Sequence, residues 1–525
     1  MLKLTIDGKS VEVEQGTTIL DAARKIGINI PTLCFREGCS LSTSCMVCIV
    51  KVKNRIIPSC ATVAVDGMEI ESETDEIHEA RRTALELLLS DHTGDCIAPC
   101  HNICPADMNI PLMIRQIAEG DLRSAIITVK GDIPLPAIFG RICPAPCEKG
   151  CRRGSYDSPL SICLLKRYVA DVDLASDHPY LPSCEPANGK RIAIVGAGPA
   201  GLSATYYLLQ KGYACMIYDD HDKPGGALQY AVPEDKLPHT VLDAEIGIIQ
   251  KLGAEFRLNT KIGEDIKNLQ TDYDAVLIAT GQNENPFLKS IKADRNTLQS
   301  NVEGIFVAGN ALGRKSNLAV RSIADGKLAA NSIDQYLSSQ TITGYKPFTT
   351  RMGKLTDVEL QHFVANASKD QRVEPSGNNG FSEKEAYMES LRCLHCDCRK
   401  ADNCKLRNHS DIYGADLNKY KGERRLFEQQ YHHEIIYESG KCISCGLCIQ
   451  IASRAREALG LAFIGRGFNV KVGVPFSRTI EEGLQKVAIE CVEACPTGAL
   501  VFKDGSRSQI NSILILWDAT ATIIV

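Results

Sequence analysis

The sequence predicts a multidomain protein of mixed α/β and α+β class, and three observations predict it. The chain has 525 residues, 44% hydrophobic and 23% charged, an ordinary globular composition with length for three or more domains. Its 23 cysteines fall in close runs. Near residue 195 a strand, a glycine turn, a helix and a second strand ending in acid follow one another. The expected domains are 1–75, 76–185, 186–340, 341–430 and 431–525. With 59 basic against 64 acidic residues the net charge is −5, and no long basic run supplies the footprint that nucleic acid needs. No segment reaches the roughly 18 uncharged apolar residues of a membrane helix. The apolar tail Ile513 to Val525 is short and carries Asp518. No membrane and a cytoplasmic location are therefore expected. Disulfides suit small secreted domains, whereas close cysteine runs in a long chain without a signal peptide point to metal ligation, here by iron–sulfur clusters.

In the first module, Leu2, Leu4 and Ile6 alternate with polar residues, Asp7-Gly8 turns the chain, and Val11 and Val13 resume the alternation. A helix follows, capped by Thr17 or Thr18, with Ile19, Leu20, Ala23 and Ile26 at helical spacing and Gly27 at its end. Two strands and a helix suggest a β-grasp. Cys34, Cys45, Cys48 and Cys60 come next, in a loop of small residues that lets backbone amides approach sulfur. This spacing resembles the 2Fe-2S domain at the start of the complex I large peripheral subunit. Structural zinc is the alternative, but the long spacings do not fit common zinc knuckles. Cys39 is expected to be a packed thiol.

Residues 77–89 read as a helix that delivers His92, Cys96, Cys100 and Cys104, each separated by three residues. Cys143, Cys147 and Cys151 repeat that spacing, with the helical stretch MIRQIAEGDLRSAIITV between the two runs. The pair of runs resembles the N-terminal domain of the glutamate synthase small subunit and its dihydropyrimidine dehydrogenase relatives. The resemblance implies two 4Fe-4S clusters: one takes the early cysteines plus one from the later run, the other the remaining cysteines plus a ligand further downstream. Six cysteines leave two of eight positions open. Where relatives often carry Gln or Glu, this chain offers Lys166, a poor ligand, and nearby Cys163, a good one. Cys163 is expected to fill one vacancy and His92 the other. For His92 the reading as an ordinary polar residue stays open.

The stretch KRIAIVGAGPAGLSATYYLLQKGYACMIYDD is a dinucleotide fingerprint in its proper context. Gly196, Gly198 and Gly201 permit the tight turn and close pyrophosphate approach, and Asp219 ends the second strand where it can bond a ribose. Gly225, Gly226, Lys236, Leu237, Thr280, Gly281, Gly309 and Asn310 follow in stretches that resemble the FAD domain of the same glutamate synthase group. Two departures stand out. Only about 20 residues separate Gly281 from Asn301, too few for the second dinucleotide domain of that group, since a βαβ unit needs about 30. The NAD(P) domain is thus expected to be deleted. Asn310 also stands where the family usually has Asp.

Residues 344–379 read as a surface linker. A helical stretch then opens onto Cys393, Cys396, Cys398 and Cys404, read as one four-thiol site for a 4Fe-4S cluster, with zinc as the alternative. Cys442, Cys445, Cys448 and Cys495-Pro496 form the two halves of a bacterial-ferredoxin arrangement, which implies one 4Fe-4S site. Cys491 has no partner cysteine after Cys448 and is expected to pack in the core.

One 2Fe-2S cluster, three to four 4Fe-4S clusters and FAD on one chain describe an oxidoreductase subunit that transfers electrons, with no conventional acid–base pair or nucleophilic triad in the sequence. The combination resembles subunits of anaerobic electron-bifurcating transhydrogenase, hydrogenase or formate dehydrogenase complexes. That implies partners such as an NADH-dehydrogenase-like flavin subunit, a hydrogenase or a formate dehydrogenase, and ferredoxin. Two alternatives are a self-sufficient NAD(P)H-dependent oxidoreductase and a docking scaffold with a degenerate flavin fold.

Overall fold

The computed structural model describes residues 1–263, 266–282, 290–313, 318–344 and 348–503. The apolar tail from Ile513 and residues 283–289 fall outside them. The chain divides into two compact units. One comprises Met1–Ile97, Pro347–Ala365 and Asp397–Val525, the other Ala98–Lys346 and Asn366–Cys396.

The first unit opens with the expected hairpin, β1 (Leu2–Ile6) against β2 (Lys9–Val13), joined by β3 (Ile49–Val52), β4 (Arg55–Pro58) and β5 (Glu69–Glu71) in the order β2-β1-β5-β3-β4. β5 runs parallel to β1, so the chain crosses the sheet and grips the helix Ile19–Lys25, whose N-cap is Thr18. Alternation along β1 and β2 buries Leu4, Ile6, Val11 and Val13 against Leu20 and Ala23. Helix Asp75–Leu89 follows, started by the Thr74 side chain accepting from the Ile77 N–H.

The second unit holds a helical part and a Rossmann-like part over one continuous apolar core. The helical stretch between the two cysteine runs comprises two helices, Ile110–Ala118 and Leu122–Asp132. Gly120, at φ +76°, ends the first, and the Asp121 side chain caps the second through the Ser124 N–H. The sheet contains β6 (Arg191–Val195), β7 (Ala214–Tyr218), β8 (Glu255–Arg257), β9 (Ala275–Ile278) and β10 (Ile305–Val307), all parallel, in the order β10-β9-β6-β7-β8. β9 pairs directly with β10. The described part of their connection, 279–282 and 290–304, contains no strand–helix–strand unit, in keeping with the expected loss of the second dinucleotide domain.

The linker expected over 344–379 is split between the units, and its described residues carry one helix. Residues 357–364 form a helix with a capping box from Thr356 and Glu359. Its apolar residues Leu360, Phe363 and Val364 are buried, and Phe363 stacks on Phe427 at 4.4 Å. The polar residues between these apolar positions disguised a short amphipathic helix as loop. Returning to the first unit, β11 (Gln429–Tyr431), β12 (Ile435–Glu438) and β15 (Leu500–Phe502) form an antiparallel sheet, and β13 (Ala462–Ile464) and β14 (Lys471–Gly473) a hairpin. No described helix is long and apolar enough to cross a membrane.

Candidate redox centres

In the first unit Cys34, Cys45, Cys48 and Cys60 are all buried in the loop beside the β-grasp. Cys48 and Cys60 sulfurs lie 3.3 Å apart. Thr43 and Met46 adopt left-handed backbone conformations that curl the loop around the thiols. The thiols act in pairs: a hydrogen bond from the Cys45 thiol lowers Cys34 to about 5 and raises Cys45, and one from Cys60 lowers Cys48 to about 7 and raises Cys60.

Cys442, Cys445, Cys448 and Cys495 line one small cavity walled by Tyr437, Leu447, Val472 and Leu500. Ser444 and Gly446, both left-handed, turn the loop so that its three sulfurs converge. Cys491 is fully buried in the neighbouring apolar core and does not line that cavity.

The structure divides the other cysteine runs in a way the sequence reading missed. Cys96 belongs to the first unit, whereas the helical group to which its run assigned it belongs to the second. Cys398 donates its N–H to the Cys96 carbonyl at 3.2 Å, and Cys398, Cys404 and Cys96 lie within electrostatic reach of one another. His92 also belongs to this unit, half-buried, and not to the unit of the two-cluster helical part. Its Nδ1 has no hydrogen-bond partner, and burial followed by the nearby Lys441 charge lowers it to about 4. A neutral imidazole with a buried, orphaned nitrogen suits a metal ligand. Lys441 is itself buried, pairs with Glu438 and is raised above its ordinary value: burial opposes this, but Cys398 and then Glu438 outweigh it.

Three thiol groups of the first unit are therefore joined. Cys404 Sγ lies 3.9 Å from the Pro496 carbonyl, next to Cys495. A Cβ on Gly498 would sit 2.2 Å from Cys398 Sγ. On the other side Cys34, Cys45, Cys404 and Cys445 share one apolar core, and Gln450 hydrogen-bonds Ser40 and Ser42. The Cys442 group, last in sequence, adjoins both of the others in space.

In the second unit Cys104, Cys143, Cys147 and Cys163 surround Lys166. Its Nζ is 3.9 Å from Cys163 Sγ and interacts electrostatically with all four sulfurs. Cys163 and Cys143 hydrogen-bond through their side chains. Cys100, Cys151, Cys393 and Cys396 line a second cavity, with Pro111, Ile114, Leu160 and Ile162. The run 393–404, expected to be one site, is thus divided: Cys393 and Cys396 join this group, Cys398 and Cys404 the group of Cys96. Two buried arginines hold the halves of the cavity together. Arg153 donates to the Arg392 carbonyl at 2.6 Å and pairs with Asp157, and Arg392 pairs with Glu389. The long sequence separation of Arg153 from Arg392 hid this link from sequence reading, although each stands beside a cysteine run.

The glycine turn after β6 opens on a cavity of about 560 Å³ lined by Gly196, Gly198, Asp219, Gly226, Thr280, Gly281, Gly309 and Asn310 among others. A Cβ on Gly198 would meet nothing, leaving room at the helix start, and one on Gly201 would strike the Gly196 carbonyl at 2.0 Å, so Gly201 serves helix–strand packing. Thr280 Oγ1 is buried without a partner, an unused donor at the cavity wall. Asp219 accepts from the Ala197 N–H at 2.6 Å and from His221, so its carboxylate also braces the glycine turn. Gly225 supports the turn by donating to the Ala197 carbonyl. Lys236 and Leu237 do not line the cavity: Leu237 is fully buried in the core and Lys236 is exposed. Burial of the apolar neighbour, rather than a ligand, explains that stretch.

Three family models match parts of the chain. Residues 1–75 match the 2Fe-2S iron-sulfur cluster binding domain family, 68–178 the family of dihydropyrimidine dehydrogenase domain II, 4Fe-4S cluster, and 194–252 the NAD(P)-binding Rossmann-like domain family. The chain is similar to the NADP(+)-dependent formate dehydrogenase subunit beta of Moorella thermoacetica, 39% identical over 207 residues, covering 35% of this chain and 29% of that one. It is similar to the NADPH-Fe(3+) oxidoreductase subunit beta of Geobacter sulfurreducens, 37% identical over 188 residues, 35% of this chain and 28% of that one. The glutamate synthase [NADPH] small chain of Mycobacterium tuberculosis is 35% identical over 192 residues, 36% of this chain and 39% of that one. The matches thus span less than two fifths of each relative's length.

Proposed function

We propose that this chain is an iron–sulfur and FAD electron-transfer subunit of a multi-subunit oxidoreductase. The observation that carries the reading is the gathering of 19 of the 23 cysteines into five groups, four of four thiols and one of three that we complete with His92. One 2Fe-2S site takes Cys34, Cys45, Cys48 and Cys60. Four 4Fe-4S sites take the Cys442, Cys104 and Cys100 groups and the set His92, Cys96, Cys398 and Cys404. Iron–sulfur at all five replaces zinc at the run 393–404, because neither half of that run supplies four ligands alone. Cys39, Cys184, Cys215 and Cys491 stay outside these groups.

The clusters would supply one-electron transfer and the FAD a passage between one- and two-electron steps. The chain's own residues hold the ligands rigidly and exclude water. Lys441 and Lys166 bring positive charge to buried thiolates, and the backbone from Cys495 to Gly498 joins two groups of the first unit. The route there runs from the β-grasp group through the Cys442 group to the His92 group. FAD, rather than a nicotinamide, is favoured because Gly281, Gly309 and Asn310 extend the cavity past the end of β10. With no second dinucleotide domain, NAD(P)H is handled by a partner. The formate dehydrogenase relative supports a formate dehydrogenase as partner, and the resemblance read from the sequence adds a flavin-bearing NADH dehydrogenase-like subunit or a hydrogenase, with ferredoxin as a low-potential carrier, in an anaerobic and electron-bifurcating setting.

The test is anaerobic purification with quantification of iron, zinc and flavin. About 18 irons per chain are expected, from one two-iron and four four-iron sites, with FAD, without zinc, and without bleaching by NAD(P)H until a partner is added. Rapid bleaching of the isolated chain would overturn the relay reading.

A further inference from the structure

We propose that Lys166 is a positioning residue whose ammonium raises the reduction potential of the cluster held by Cys104, Cys143, Cys147 and Cys163. The inference rests on the reading that these four thiols hold a cluster. Lys166 lies one helical turn after Cys163 on the helix Ile162–Leu174 and is only 4% exposed. Its Nζ is 3.9 Å from Cys163 Sγ. The chain's other buried lysines have carboxylate partners: Lys130 pairs with Asp173 at 2.6 Å, and Lys441 with Glu438. No described carboxylate pairs with Lys166, so the negative charge around it comes from the four sulfurs.

A buried ammonium without a counter-charge is strongly unfavourable, so this position asks for an anion in the cavity. A cluster with four thiolate ligands is that anion, and its negative charge grows by one on reduction. The fixed ammonium therefore favours the reduced form over the oxidised form. In a low-dielectric interior this bias is larger than at a surface. The lysine contributes no bond to iron; it acts through charge on a cluster that the cysteines hold.

The test is anaerobic potentiometric titration of the full cluster-loaded chain, followed by electron paramagnetic resonance. The step belonging to this cluster is identified by its loss in Cys163→Ser. In Lys166→Met that step is expected to fall by tenfold or more in the reduced-to-oxidised ratio at fixed poise, about 59 mV for one electron, while the other steps stay in place. Lys166→Arg, which keeps the charge, should leave it near the wild-type value. In wild-type chain labelled with nitrogen-15 lysine, the reduced cluster should carry a weak nitrogen coupling.

An unmoved step in Lys166→Met with iron retained overturns the proposal, as does absence of the nitrogen coupling. If Lys166→Met loses iron, Lys166→Gln takes its place. Loss from both overturns the proposal, because the lysine is then needed to assemble the site. Failure of the underlying reading looks different: Cys163→Ser would leave iron content unchanged.

Discussion

Cys398 donates its backbone N–H to the carbonyl of Cys96 at 3.2 Å, bringing together two residues whose intervening chain builds most of another compact unit. The chain leaves the first unit after Ile97 and returns at Asp397, apart from the stretch Pro347–Ala365. That stretch contributes Thr350, whose hydroxyl donates to the Gly94 carbonyl at 2.6 Å and sits 3.2 Å from Cys96 Sγ. The inserted unit thus interrupts one ligand set without dispersing it.

Serine substitutions should therefore sort by unit and not by sequence run. Cys96→Ser and Cys398→Ser are each expected to lose the same four-iron centre, about four irons per chain, and the double variant no more than either alone. Cys393→Ser should remove a different centre, the one lost with Cys151→Ser. Iron analysis and the resonance spectra of the reduced variants check this. One shared signal lost by Cys393→Ser and Cys398→Ser would sink the assignment.

Gly498→Ala places a methyl group where Cys398 Sγ lies, 2.2 Å from the new carbon. The sulfur must move, so the variant should lose or distort the His92 group's signal and keep that of the β-grasp. A wild-type spectrum with full iron content would refute the close approach.

Arg153 and Arg392 are both fully buried, and Arg153 ties the loop after Cys151 to the residue before Cys393. Removing the guanidinium leaves Asp157 with Arg392 alone as its arginine partner and takes the donor from the carbonyls of Ser368 and Arg392. Arg153→Met should cost roughly 3 kcal/mol and lower the unfolding temperature of the loaded chain. Unchanged melting would show that the arginine is dispensable for packing.

Glu245 is buried and accepts the N–H groups of Ala137 at 2.9 Å and Ile138 at 3.0 Å, tying the Rossmann-like part to the helical part of the second unit. Burial raises it from 4.5 to about 7, against the pull of those two donors. Between these values the folded chain keeps a proton that the unfolded chain has released, so stability falls as pH rises, by about 3 kcal/mol in total, and levels off above pH 7. Glu245→Gln should flatten this part of the profile. Melting curves between pH 5 and 8 provide the comparison, and an equally steep profile in the variant would count against it.

Gly198→Val fills the open space at the start of helix Pro199–Gln210 that the nucleotide would occupy. Bound flavin should fall more than tenfold while iron content stays constant. Equal flavin in both proteins would place the cofactor elsewhere.

Local chemistry was legible in the residues themselves. The hairpin at Asp7-Gly8, the glycine turn at Gly196 and the loop of Cys442, Cys445 and Cys448 each follow from backbone preferences over a few positions, and the structure has them where the pattern puts them. The shortness of the connection after Gly281 was also visible, since a domain cannot be built from too few residues. The pairing of distant runs was not. Spacing assigned Cys96 to Cys100 and Cys398 to Cys396, but neighbouring residues can face different groups, and only the fold decides which side each thiol joins. Lys166 and Lys441 read as ordinary cations in sequence; their meaning comes from burial. Ligand type and local turns are properties of short segments, whereas ligand sets and the charges enclosed with them arise when distant segments pack together.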